Sequence, residues 1–435
     1  MNSTPHRAAR LCGLVAATLL VLVPAAAHAT INGETGSAFD FTAKADYIST
    51  GDGGSVFFWG FALPGQRAQY PGPTLIVNQG DTVTITLHNT LLAPVSLLFP
   101  GQAEVTASGG SAGLITQEAT AGNDVVYTFT ADHAGTYMYT SGTNPELQVE
   151  MGLVGAIIVR PYGFDPSAPR AYGHPDAAYD LEYLFFCTEM DPRIHRAVEF
   201  GDAVDPNWLT DYFPGWWFLN GRNAPDTMLT AYNAWLPTQP YNCMPLMHPG
   251  EKLLMRVVGA GRDSHPFHHH GNHARIIAQD GRLLSSAPGA GPDLGYLVFT
   301  VPAVPGETRD AIFTWTGQGL GWDIYGTGPD YQHSCNDGDG DGFDDTTSEY
   351  CADHGRPIPV VLPDNTELTF GGFWSGSPYL GSLGLLPPGE GGLNPYAGFS
   401  FMWHSHNEKE MTNFDIFPGG MMTMLVVEPP GAPIM

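Results

Sequence analysis

Positive charge is scarce in this chain: 17 lysines and arginines stand against 44 aspartates and glutamates, a formal net charge of −27. Such a polyanion repels phosphate backbones and anionic headgroups, so nucleic acid and membrane surfaces are not expected partners. Long apolar runs are lacking too. The run from Leu11 to Val23 is shorter than the roughly 20 residues that cross a bilayer, and no later stretch comes close. With Arg7 and Arg10 before it, Pro24 after it and Ala27-His28-Ala29 as a small-residue cleavage site, residues 1–29 read as a secretory signal. The mature chain, residues 30–435 with a charge of −29 once those two arginines are gone, is expected to be exported to a periplasm or the exterior.

Cysteine is sparse as well. Cys12 leaves with the signal, and Cys187, Cys243, Cys335 and Cys351 remain, an even number for an oxidising compartment. Of the three pairings, Cys335 with Cys351 and Cys187 with Cys243 is expected, because it keeps a short loop closed on itself. There is no glycine-rich phosphate loop after a strand and no GxSxG elbow, so phosphoryl transfer and serine hydrolysis have no sequence support.

Charged residues make up only 14% of the chain, whereas glycine (54) and proline (37) are abundant. That balance predicts an all-β fold of short strands and turns. SVFFWGFA, PTLIVNQGDTVTITLHNT, DVVYTFTA and LVGAIIVRP form a first strand series, assigned to a domain over 30–162. A proline-rich crossing follows at 163–180. YDLEYLFFCTEM, EKLLMRVVGAG, RDAIFTWTG, GFSFMWHSH and MMTMLVVEP open a second domain over 181–435. Two sandwiches in tandem are the expected architecture.

Histidine is where the chain concentrates chemistry. Of the 14 histidines beyond the signal, seven lie in HPFHHHGNH (265–273) and HSH (404–406). Alternate residues of a strand share a face, so His268 points with His270 and His404 with His406. Two such strands side by side bring four imidazoles to one place, a donor set suited to copper or zinc. His265 is a further candidate ligand, while His269 and His273 fall on other faces. Met421, Met422 and Met424 are expected in the core, where methionine fills gaps.

A second motif is CNDGDGDGFDDTTSEYC at 335–351. Asp337, Asp339 and Asp341 alternate, Gly342 permits a sharp turn, Phe343 offers a carbonyl and Asp345 takes the ninth position, as in calcium loops of the DxDxDG kind. Ser348 stands at the twelfth position, with Glu349 next to it. A structural calcium ion is the expected occupant of this insertion.

HPFHHHG resembles the HPxHLHG motif of multicopper oxidases, and MWHSH followed by PGGMMTMLVVEP resembles their closing His-Cys-His segment. YPGPTLIVNQGDTVTITLHNTL is similar to the start of the family's first cupredoxin domain. The resemblance spans nearly the whole mature chain and implies two tandem cupredoxin-like Greek-key sandwiches. It also implies departures. Ser405 takes the place of the cysteine that ligates blue copper, and Glu410 that of a second blue-copper histidine, so only His265 survives from that set. PVSLLFPG (94–101) and YMYTSG (137–142) put Leu98, Pro100, Thr140 and Gly142 where four first-domain histidines hold the trinuclear cluster.

What remains is the last domain's half of the cluster. One or two copper ions held by His268, His270, His404 and His406, with His265 and Glu410 as further ligands, is the expected site. An oxidoreductase on small substrates and a non-catalytic copper carrier or scaffold are both compatible with it. A homo-oligomer sharing the site between the first domain of one copy and the second domain of another is the third expectation.

Overall fold

The computed structural model describes residues 31–327, 332–357, 377–378, 399–428 and 434. The signal segment lies outside the described residues. Strands dominate, and they sort by position in the chain. Before residue 161 they build a five-stranded sheet ordered 55–62, 38–49, 82–89, 124–130, 103–109 and a four-stranded sheet ordered 34–35, 72–78, 154–160, 135–140. After residue 180 they build a seven-stranded sheet around Leu181–Met190, Lys252–Gly259, Thr308–Thr314 and Ala274–Gln279, and a six-stranded sheet around Met422–Val427, Phe399–Ser405, His265–His269 and Thr300–Ala303. In each half, parallel pairs between strands distant in sequence sit beside antiparallel ones, as crossovers between two faces require. This is the all-β sandwich architecture that composition and strand pattern predict.

Two strands, Val154–Arg160 and Leu181–Met190, are buried along their whole length. Their runs are apolar without alternation because both faces are covered. Leu153, Ile157 and Val159 join the core of the first half, whereas Val154, Ala156 and Ile158 meet Leu184, Phe186 and Phe218 across the junction. Phe185 and Cys187, on the other face of their strand, enter the core of the second half with Phe267, Phe313, Trp315 and Trp403.

The junction also carries buried charge. Arg160 pairs with Glu182, and Arg256 reaches Glu182 at 2.9 Å and Asp310 at 3.4 Å. Burial alone would raise the Glu182 carboxyl, but the two guanidiniums hold it at about 2. Tyr172, from the proline-rich crossing, donates to Asp310 at 2.5 Å. That crossing therefore packs against the second half, where Ala171, Ala177 and Tyr179 are buried beside Leu254 and Ile277.

The expected Cys335–Cys351 disulfide is present, closing the acidic insertion. The expected Cys187–Cys243 bridge is not: both are buried free thiols. Cys187 Sγ lies 3.9 Å from the Phe185 carbonyl and Cys243 Sγ lies 3.5 Å from that of Thr227, so each thiol has a main-chain acceptor. Burial pushes both thiols well up, which keeps them protonated and slow to oxidise.

Candidate metal centre

The sandwich fold delivers the histidines by strand register. His265–His269 pairs antiparallel with Phe399–Ser405, and in that register His268 stands directly opposite His404 while Phe267 stands opposite Ser405. Phe267, His269, Phe401 and Trp403 turn inward. His269 packs against Trp403 and Phe313, and its Nε2 accepts from the Ala274 amide at 3.1 Å, so it belongs to the core, neutral and pushed down to about 3 by burial.

On the other face the imidazoles gather. His270 Nε2 lies 3.1 Å from His404 Nε2, and the His268 ring centroid lies 5.0 Å from those of His270 and His406 and 5.5 Å from that of His404. One nitrogen from each of His268, His270 and His404 falls within 4.8 Å of the others. All three are buried, whereas the His406 side chain is 39% exposed at the rim, 3.6 Å from Glu408.

Two contacts orient the rings. A carbonyl only accepts, so the 2.6 Å contact between His404 Nδ1 and the Ser405 carbonyl fixes the proton on Nδ1 and leaves the Nε2 lone pair aimed into the cluster. His268 Nδ1 contacts Thr300 Oγ1 at 2.9 Å. Burial, then the neighbouring His404 and His406, pushes His268 down to about 3, and burial lowers His404 as well. These are neutral imidazoles at neutral pH, the state in which imidazole donates to a metal. Nitrogens about 2 Å from one metal centre stand roughly 3 to 4 Å apart, and the 3.1 Å between His270 Nε2 and His404 Nε2 falls in that range.

The expectation that His265 and Glu410 join this cluster does not hold. Both turn to the opposite face, where His265 Nδ1 lies 2.9 Å from Glu410 Oε2 and His265 Nε2 lies 2.8 Å from Glu189 Oε2. All three side chains are buried. Burial would lower His265, yet the carboxylates on either side raise it to about 10, so an imidazolium clamped between two acids fills this position. Ser405, also buried, accepts at Oγ from the Asn407 amide at 3.2 Å. Both nitrogens of His265 are thus engaged by carboxylates, and a serine rather than a cysteine stands beside it at position 405. Glu189 was not singled out from sequence; the signal was an acid inside the buried apolar strand LEYLFFCTEM, which requires a partner.

Of the first-half positions that the resemblance aligns with cluster ligands, Leu98, Thr140 and Gly142 meet one another and bring no imidazole. Leu98 and Thr140 exchange main-chain hydrogen bonds at 2.8 and 3.1 Å, and the Leu98 side chain fills the space above Gly142. Met421 is buried in the core as expected, while Met422 and Met424 are half-buried on the His404 face.

In the acidic insertion, Asp337, Asp339 and Asp345 bring oxygens within 4.8 Å of one another, with Asp341 outside that group. Asp337 accepts from the amides of Gly340 and Gly342, and Asp341 from that of Phe343, which winds the loop. Glu349 points away from it.

Residues 64–163 match the family model described as multicopper oxidase. The chain is 31% identical over 200 residues to Laccase 1 of Metarhizium robertsii, covering 41% of this chain and 32% of that protein. It is 30% identical over 171 residues to L-ascorbate oxidase of Cucurbita maxima, covering 38% and 28%. The chain thus spans about a third or less of these curated relatives. Among solved structures, the multicopper oxidase mgLAC and the blue copper oxidase from Nitrosomonas europaea each superpose with a TM-score of 0.54 at 19% identity, over 92% and 90% of this chain and 87% and 86% of theirs. At that identity they speak for the fold, the cupredoxin-like sandwich pair. Residues 64–163 match the multicopper oxidase model, and the histidine motifs, the partial relatives and the fold are all similar to that family.

Proposed function

We propose that this is an exported copper-binding protein that holds one or two copper ions at His268, His270 and His404, with His406 at the rim, and works without a blue-copper relay. The convergence of three buried imidazoles on one point, two of them with lowered proton affinity, carries the reading. Copper bound there would supply one-electron redox chemistry at an open histidine site. The chain's own groups prepare for it: the Ser405 carbonyl orients His404, Thr300 orients His268, and burial keeps protons off the donor nitrogens. Small phenolic, metal-ion or cuprous substrates are the class such a site serves as an oxidoreductase. A carrier without turnover is the alternative.

The test is metal analysis of protein purified from its native compartment, followed by turnover assays with those substrates. One or two coppers per chain without an intense thiolate charge-transfer band supports the reading, and turnover separates enzyme from carrier. A metal-free chain that takes up no copper refutes it.

A shared site between copies is the second reading, and it rests on a specific surface. Tyr296, Leu297 and Phe299 are exposed at 47%, 66% and 42%, and the Phe299 ring lies 5.9 Å from that of His268. An apolar edge beside a metal centre suits cover by another copy. Copper-dependent association in sedimentation would support it; an unchanged monomer would not.

For the acidic insertion we propose a structural calcium ion at Asp337, Asp339 and Asp345, with Asp341 and the Phe343 carbonyl completing the loop. Calcium titration by calorimetry of the full chain and of Asp339→Ala tests this, with loss of heat in the variant as the expected result.

A further inference from the structure

We propose that Asp323, His333, Glu349 and His354 form a closed site for a divalent ion of the zinc class, separate from the histidine cluster, that fastens the 332–357 segment to the second sandwich. Asp323 comes from the loop after strand Thr308–Thr314, and the other three flank the Cys335–Cys351 disulfide. One donor atom from each of the four lies within 4.8 Å of the rest.

The geometry is convergent. His333 Nε2 lies 3.1 Å from Glu349 Oε2 and 3.5 Å from Asp323 Oδ2. His354 Nδ1 lies 2.8 Å from Glu349 Oε1 and 3.6 Å from Asp323 Oδ2. Each ring thus aims one nitrogen at both carboxylates, and the two rings stand 4.8 Å apart at 88°.

The electrostatics call for a cation. The Asp323 and Glu349 side chains are 1% and 2% exposed. Among the described residues, no lysine or arginine pairs with either of them. Glu349 Oε2 is a second and independent sign: it is buried and makes no hydrogen bond of acceptable geometry among the described residues. Two desolvated acids facing each other repel strongly. A dication offsets both, with two imidazole lone pairs completing a tetrahedral N₂O₂ set, the closed arrangement of structural zinc. Calcium is disfavoured because it takes six to eight oxygens.

Supporting contacts hold the ligands in place. Asp323 Oδ2 accepts from the Gly355 amide at 2.8 Å, the Asp323 amide donates to the Arg356 carbonyl at 2.8 Å, and Tyr325 donates to the Thr347 carbonyl. The acidic loop rides on the segment so anchored.

The test uses the full chain, stripped with chelator and titrated with Co²⁺ in excess Ca²⁺, then with Zn²⁺. Beyond any cobalt taken up at His268, His270 and His404, the expected result is one further equivalent showing the intense visible bands of tetrahedral cobalt, displaced by zinc. His354→Ala, at a half-exposed position, and independently Glu349→Gln should each lose that equivalent. The affinity should fall by more than the roughly 10–100-fold that removal of a supporting partner costs. His404→Ala should keep it, and the same ion should raise the thermal midpoint of the native chain but not of His354→Ala. Near-UV circular dichroism and an intact Cys335–Cys351 bridge establish that each variant is folded. Superimposable cobalt titrations of native and His354→Ala chains, or a purely octahedral spectrum in the native chain, overturn the proposal.

Discussion

Replacing His265 by leucine removes the imidazolium from between Glu189 and Glu410 and leaves two buried carboxylates facing each other. The wild-type contribution follows from its shift. A rise from 6.5 to about 10, at about 1.36 kcal/mol per pH unit, corresponds to roughly 5 kcal/mol. Breaking a buried ion pair by deleting one partner costs about 3–5 kcal/mol, a consistent magnitude. The sign follows from linkage. A base held above its unfolded value stabilises the fold fully below about pH 6.5, and that contribution is lost as pH rises through about 10. The assay is urea unfolding of wild type and His265→Leu at several pH values. A gap of about 3–5 kcal/mol should hold up to about pH 6.5 and narrow steadily toward pH 10. A gap below about 1 kcal/mol, or one that is flat across this range, would refute the clamped-imidazolium account.

Other outcomes follow from the same structure. His404→Ala removes the best-oriented donor and should weaken copper binding by more than about 100-fold in a competition titration, while the His406→Ala effect at the exposed rim should be smaller. Ser405→Cys alone should create no blue absorption on copper loading, since both nitrogens of His265 stay engaged by Glu189 and Glu410. Arg256→Met leaves buried Asp310 without a guanidinium, while Glu182 keeps Arg160, and should cost about 3–5 kcal/mol by chemical denaturation. Opening the 335–351 bridge with paired serines should cost about 3 kcal/mol on the chain-entropy model, read from the unfolding midpoint.

Most of the sandwich pair was legible because strand alternation and buried apolar runs are local signals. The placement of His268 with His270, and of His404 with His406, follows from the two-residue period alone. Their meeting did not, because it depends on the register that sets His268 opposite His404. Glu410 was misplaced for a related reason: spacing along the chain says nothing about which face a turn after the strand presents, and the 408–411 turn points it at His265. Counting cysteines could not show that Cys187 and Cys243 each find a backbone carbonyl in an apolar core. The Asp323, His333, Glu349 and His354 group escaped notice because its members come from two loops at irregular spacing, and no short motif records a fold that brings them together.

The central claim is that His268, His270 and His404 share one copper. Pulsed electron paramagnetic resonance of the copper-loaded chain tests it most directly. The account predicts hyperfine couplings from at least three imidazoles, with one lost in His404→Ala and no thiolate signature. A signal with a single imidazole, or one unchanged by that substitution, would contradict it.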